Sequence, residues 1–101
     1  DKVERFMAYD SDPAFTPAER AAITLGFAAG QTPNETSEAH FAELRRHFSE
    51  TAIVEIVAVI SLFGWLNRWN DTMASDLEPA PLAFAGAHLV ARGWSAGKHV
   101  R

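Results

Sequence analysis

Residues 52–66, AIVEIVAVISLFGWL, decide how the rest of the chain must be arranged. Wound as a helix, the stretch is apolar on every side except at Glu55 and Ser61, and a helix that is hydrophobic all round cannot lie on a surface. Other elements are expected to sheathe it. Just upstream, Ser49 is placed to cap the helix, and Glu50 falls where the positive end of the macrodipole favours an acid. Just downstream, Asn67-Arg68-Trp69-Asn70-Asp71 sets polar groups onto what had been a buried rod, which is predicted to run to about Met73. Ser61, Gly64, Arg68 and Asp71 share one face at helical spacing, so one stripe is small and then polar. Something packs on that stripe or opens onto it.

Toward the N-terminus the segments read as shorter helices. Thr16-Pro17-Ala18-Glu19 has the form of a capping box with proline at the first helical position. Ala18, Ala21, Ala22, Leu25, Ala28 and Ala29 then recur along one face until Gly30 stops the helix. So much alanine on an inner face means close approach of a neighbouring helix. Residues 31–36 form a loop around Pro33. A third helix is predicted from about Glu38, capped by Thr36 or Ser37, with Phe41, Leu44 and Phe48 on one side and His40, Glu43 and His47 on the other. Two histidines seven residues apart lie about 10 Å apart along a helix axis, too far to share one ion, so no metal site is expected. Lys2 to Tyr9 is predicted as a short amphipathic helix through Val3, Phe6 and Met7, broken at Asp12-Pro13.

Toward the C-terminus, Glu78-Pro79-Ala80-Pro81 ends the central region. Leu82, Ala85 and Leu89 follow as a short closing helix stopped by Gly93, with His88 near its end. Trp94 is expected to tuck against the bundle, and residues 98–101 to stay mobile. The fold class is all-α: a bundle of about four to five helices around the central apolar one, in a single and partial domain spanning residues 1–101.

The totals narrow the function classes. One domain of 101 residues buries only about 60–65% of its unfolded surface. A net charge of -4 argues against nucleic acid, and the one compact basic run, Arg45-Arg46-His47, reads as a solvated helix face. The opening residues 1–10, with acids spread through them and no apolar run, do not read as a secretory signal, and the apolar run of 52–66 falls short of the about 20 residues of a membrane span, so a soluble cytoplasmic protein without a membrane partner is expected. The sequence has no cysteine, which removes disulfide and thiolate chemistry from this polypeptide itself.

The blocks Phe15-Thr16-Pro17-Ala18-Glu19-Arg20-Ala21-Ala22, Leu44-Arg45-Arg46-His47-Phe48-Ser49-Glu50, Ile53-Val54-Glu55-Ile56 and Trp65-Leu66-Asn67-Arg68-Trp69-Asn70 resemble, in order and spacing, the carboxymuconolactone decarboxylase and alkylhydroperoxidase D-like family. The resemblance covers most of the chain from Phe15 to Asn70, and its more specific part is the long apolar helix closing on Asn-Arg-x-Asn. It implies an all-helical fold that assembles into homo-oligomers. In peroxidase members a Cys-x-x-Cys-x-x-x-His segment, with a Glu relay, reduces hydroperoxides and is regenerated by a thiol reductant partner. That segment lies upstream of the blocks matched here, so no residue of this chain corresponds to the thiols, their His or the relay Glu. The chain thus resembles the C-terminal part of such a protein, with the N-terminal part as its partner and no cofactor expected.

Candidate site residues follow from the end of the central helix. Asn67, Arg68 and Asn70 match the family segment that packs beside the thiol-bearing helix, where amides and a guanidinium would hold a carboxylate or water. Trp65 and Trp69, one turn apart, would wall an apolar pocket. The structural alternative is an Asn that caps, an Arg68 that pairs with Asp71, and indoles that fill core. Glu55, among Val, Ile and Ala, is either a general acid made by burial or a carboxylate facing a partner cation or solvent. Two other readings stay open. One is a cysteine-free lactone decarboxylase, with Arg68 binding the carboxylate and His88 or His40 as base. The other is an oligomerisation module whose apolar helix faces form a subunit interface.

Overall fold

A computed structural model describes residues 1–100. It is all-α, with four helices: α1 (Pro17–Ala29), α2 (Glu38–Arg45), α3 (Glu50–Met73) and α4 (Pro79–His88). Short 3-10 turns occupy Phe6–Ala8, Val90–Arg92 and Gly97–His99, and the described residues hold no strand. The chain divides into two compact units, Asp1–Gly64 and Trp65–Arg101, with α3 contributing to both.

In the first unit, α1 begins at the predicted capping box. The Thr16 hydroxyl accepts from the Glu19 N–H at 3.1 Å, and the Glu19 carboxylate accepts from the Thr16 N–H at 3.0 Å. Two orphan donors at the helix start are thereby satisfied. Lys2 Nζ adds bonds of 2.7 and 2.8 Å to the same carboxylate, which ties the N-terminal segment to the helix. The Lys2 bond first, and the Thr16 N–H after it, lower the Glu19 pKa to about 2. Ser37 is the N-cap of α2, and α1 packs against α2. Ser49 caps α3, its hydroxyl accepting from the Ala52 N–H at 3.1 Å.

The core of this unit is Ala21, Leu25, Leu44 and Ile53, with Phe41, Phe48, Ile56 and Ile60 packed against it. Leu44 and Leu25 are completely enclosed, at 0% and 1% exposure. The predicted inner faces of α1 and α2 are therefore the observed ones. The expected N-terminal amphipathic helix is absent. Residues 2–9 form turns and one 3-10 turn instead, because so short a segment cannot repay helix nucleation without a packing seam. Phe6 and Tyr9 still place their rings 5.9 and 5.6 Å from Phe27, and Arg5 is bound by Asp12 at 2.6 and 2.7 Å.

The first part of α3 lays Ile53, Ile56 and Ile60 on this core. Val54, Val59, Leu62 and Phe63 are each more than half exposed, and Ile53 is the one buried residue of the helix. The expected sheath is therefore one-sided among the described residues: α1 and α2 cover a single face. By length and composition alone α3 is sufficient to cross a membrane, which the run of 52–66 by itself is not.

In the second unit α3 ends in a Schellman arrangement. The Ser75 N–H donates to the Asn70 carbonyl at 3.0 Å and the Ala74 N–H to the Asp71 carbonyl at 3.3 Å, while Ala74 sits at φ 52°. Helix α4 starts at Pro79, earlier than expected. Both prolines fall in its first turn, where the missing N–H groups have no intrahelical partner to lose. Gly93, at φ 91°, stops the turn that follows α4, as its type and position predict. Ala85 is the one buried residue of α4.

Candidate functional site

The polar end of α3 opens onto a recess of about 470 Å³ whose walls include Asn67, Asn70, Asp71, Ser75, Trp94 and His99. Three local features build it. The left-handed turn at Ala74 sends the chain away from the helix axis. The Leu77 N–H then donates to the His99 carbonyl at 3.2 Å, which brings the C-terminal turn alongside. His99 completes the closure: its Nδ1 lies 2.7 Å from the Ser75 carbonyl oxygen and its Nε2 3.2 Å from Asp71 Oδ1. Lys98 Nζ approaches the same carboxylate oxygen at 3.6 Å. The His99 bond, and then the Lys98 charge, hold the Asp71 carboxyl below the usual aspartate range.

Of the residues singled out from sequence, Asn67 and Asn70 line this recess. Each side-chain amide carries a donor and an acceptor, and Asp71 supplies a fixed negative charge beside them. Arg68 does not pair with Asp71, whose partners are His99 and Lys98, and its side chain is exposed. Trp65 and Trp69 stack on each other with ring centroids 6.0 Å apart, are more than half exposed, and are not among the recess walls. His88 is exposed and touches Phe84 at 4.6 Å between ring centroids. Glu55 is exposed, with no ion pair among the described residues.

His99, Ser75 and Trp94 were not legible as site residues. Asp71 and His99 are 28 positions apart, and nothing local announces their meeting. Lys98 and His99 are not part of the loose tail expected over residues 98–101. Lys98 and His99 belong to an ordered 3-10 turn held by side-chain bonds, and Arg101 lies outside the described residues.

A second cavity, of about 340 Å³, lies in the first unit and is lined by Arg20, Thr24, His40 and Glu43 among others. Its polar groups are largely spent within the fold. Arg20 Nη2 donates to the Asp12 carbonyl at 2.8 Å, although its Nε is buried without a partner. Thr24 Oγ1 meets the Tyr9 hydroxyl at 3.2 Å. The Ser37 N–H donates to His40 Nδ1 at 3.0 Å, which occupies that ring nitrogen in the helix cap. Glu43 binds His47 at 2.9 Å and Arg46 at 3.3 Å, and the His47 bond foremost lowers its pKa. Arg45 pairs with Glu50, the first residue of α3, at 3.2 Å, so the basic run 45–47 is matched by carboxylates of α2 and α3.

No family model matches this sequence, and no curated protein does. Two solved structures do. The apo debrominase Bmp8 is 41% identical over 82% of this chain with a TM-score of 0.78. A cysteine-to-alanine variant of Bmp8 in complex with 2,3,4-tribromopyrrole is 40% identical over 85% of this chain with a TM-score of 0.80. Bmp8 has the carboxymuconolactone decarboxylase and alkylhydroperoxidase D-like fold. This chain spans less than half the length of either neighbour, 45% and 46%.

Proposed function

We propose that this chain is the C-terminal helical part of a carboxymuconolactone decarboxylase and alkylhydroperoxidase D-like protein. On this reading it scaffolds and walls a centre whose reacting thiols lie on the N-terminal part of the same protein. The observation that carries the proposal is the likeness to Bmp8, at 40–41% identity over less than half of that protein's length. This chain has no cysteine, so the proposal puts the thiols on the remainder. The large apolar side chains left open along α3 support the same division, since burial of each would contribute about 1.5–3 kcal/mol.

The reaction is a two-electron reduction by a thiol pair. One thiolate attacks a hydroperoxide oxygen, the oxygen–oxygen bond breaks, and an alcohol leaves with a proton. The second thiol then displaces water from the resulting sulfenic acid to close a disulfide, which an external thiol reductant reopens. In this scheme Asn67, Asn70 and Arg68 hold water or an anion beside the centre, and Trp65 and Trp69 form apolar wall. The cytoplasm, where thiols are kept reduced, suits such chemistry.

A second reading has the same thiol pair act on a brominated heteroaromatic ring, and it is favoured by the activity in the neighbour's name and by its tribromopyrrole complex. The carbon–bromine bond becomes carbon–hydrogen, bromide leaves, and the two thiols are oxidised to a disulfide. The test assays the full-length parent with a dithiol reductant on tert-butyl hydroperoxide and on 2,3,4-tribromopyrrole. Turnover of either is expected, lowered at least tenfold by Arg68→Ala with the helical signal unchanged. A parent with no Cys-x-x-Cys upstream of Asp1, or one inert to both compounds, overturns the proposal. The lactone decarboxylase reading has less support, because His40 is taken up by a helix cap and His88 stands against Phe84.

A further inference from the structure

Among the lysines and arginines of the described residues, Arg20 alone is not exposed, and it forms no ion pair. A cation taken partly out of water is ordinarily matched by a carboxylate, because its lost hydration otherwise goes uncompensated. Asp12, the carboxylate whose charge Arg20 feels, already holds Arg5 through both oxygens at 2.6 and 2.7 Å. Of the Arg20 donors, one on Nη2 goes to the Asp12 carbonyl at 2.8 Å, and the Nε–H is enclosed with no acceptor. We infer that the cavity of about 340 Å³ between α1 and α2, which Arg20 lines, is a carboxylate site in which this guanidinium is the anchoring cation.

The opposite wall adds a donor. The Ser37 N–H donates to His40 Nδ1 at 3.0 Å, so that nitrogen carries the lone pair and the ring proton sits on Nε2, which has no partner among the described residues. Ala39 and His40 stand in the first turn of α2, where the macrodipole contributes positive potential. Glu43 is the one carboxylate in the cavity wall, and its two oxygens are already held by His47 at 2.9 Å and Arg46 at 3.3 Å. What the fold leaves unspent is therefore N–H donors and one positive charge. Pro17, Ala21 and Ala39 supply apolar wall, so the cavity suits a monocarboxylate with a short hydrocarbon body, whose planar anion matches the guanidinium fork.

Such a carboxylate can come from a free acid or from an aspartate or glutamate side chain on the N-terminal part proposed for the parent. Both present the same anion to Arg20. The site itself needs only α1 and α2 of the first unit and stands apart from the thiol chemistry; the distinction between the two sources alone rests on the proposed parent.

Butyrate is the probe, titrated into the ¹⁵N-labelled full chain at constant ionic strength. The Arg20 Nε–H and the backbone amides of Ala39 and His40 should shift together and saturate with a dissociation constant of about 1 mM, a modest affinity for so small a ligand. Butyramide, of the same shape without the charge, should leave them unmoved. Arg20→Lys keeps the charge but loses the fork, and should weaken binding about tenfold as read at the Ala39 and His40 amides. Ala39→Leu fills the cavity from α2 with Arg20 in place, and should abolish the Nε–H shift. Shifts that do not saturate, an equal response to butyramide, or a response that survives Ala39→Leu each overturns the site. In the full-length parent, an Nε–H that still titrates with butyrate identifies a free acid as the ligand, and one already at its bound position identifies a side-chain carboxylate. An Nε–H that keeps its unbound position in the parent and does not respond to butyrate also overturns the site.

Discussion

At single positions the chain shows which local choices are made well and which are tolerated. Ala74 adopts φ 52° to close α3, in a motif whose left-handed position is usually glycine. An L-residue there brings its Cβ against the following carbonyl, a cost of about 1–2 kcal/mol, of which glycine would give back part to its own greater freedom in the unfolded chain. Ala74→Gly should therefore stabilise the protein by about 0.5–1 kcal/mol in urea unfolding. A loss of stability would show that the Schellman end of α3 does not persist in solution. Glu19 makes the opposite case, a residue whose surroundings suit it. Its carboxyl has a pKa of about 2, below the ordinary 4.5, so its bonds to Lys2 and Thr16 contribute fully above pH 4.5 and are lost as pH falls from there through about 2. Glu19→Gln should unfold at lower urea than the native chain at pH 7. The difference should shrink steadily below pH 4.5 and vanish near pH 2, and a difference independent of pH would contradict the bonding described.

At the level of elements, helices were legible where a few adjacent residues decide the outcome. Thr16 to Glu19 announces the start of α1, Ser49 that of α3, and Gly93 the stop after α4, each through a side-chain bond or a backbone angle that neighbours cannot override. The C-terminal limit of α3 at Met73 was also legible, from the change of pattern beyond Leu66. What failed to show was non-local or unspecific. An alanine gives no sign of a left-handed turn, prolines 79 and 81 suit a helix start as well as a stop, and the meeting of His99 with Asp71 spans 28 positions. Asn67 and Asn70 do reach a recess, but its opposite wall came from a segment whose composition reads as tail. Packing between α1, α2 and α3 turns on Leu44, which is fully enclosed beside Leu25 and Ile53. Leu44→Ala should cost about 2–5 kcal/mol, and a loss under about 1 kcal/mol would mean that the site collapses around the missing atoms.

For the whole molecule, the decisive quantity is apolar surface left in contact with water. Val54, Leu62, Phe63, Trp65, Trp69 and Met73 of α3 are all more than half exposed, although α3 is the most apolar segment of the chain. Scattered single hydrophobic residues on a surface need no explanation, but large side chains repeated along one helix mark an association surface. In the parent protein the N-terminal part is proposed to cover them, and when this chain is alone the available cover is another copy. At micromolar concentration the isolated chain should therefore sediment above its monomer mass of 11.1 kDa. Leu62→Ser together with Phe63→Ser should shift it toward monomer with helical content unchanged, because neither residue belongs to the core formed by Ala21, Leu25, Leu44 and Ile53. Adding the N-terminal part of the parent as a separate polypeptide should also dissolve the self-association, by competing for the same side chains. A chain that stays monomeric and folded under these conditions would remove both the proposed covering part and the proposal that these residues adjoin a shared centre.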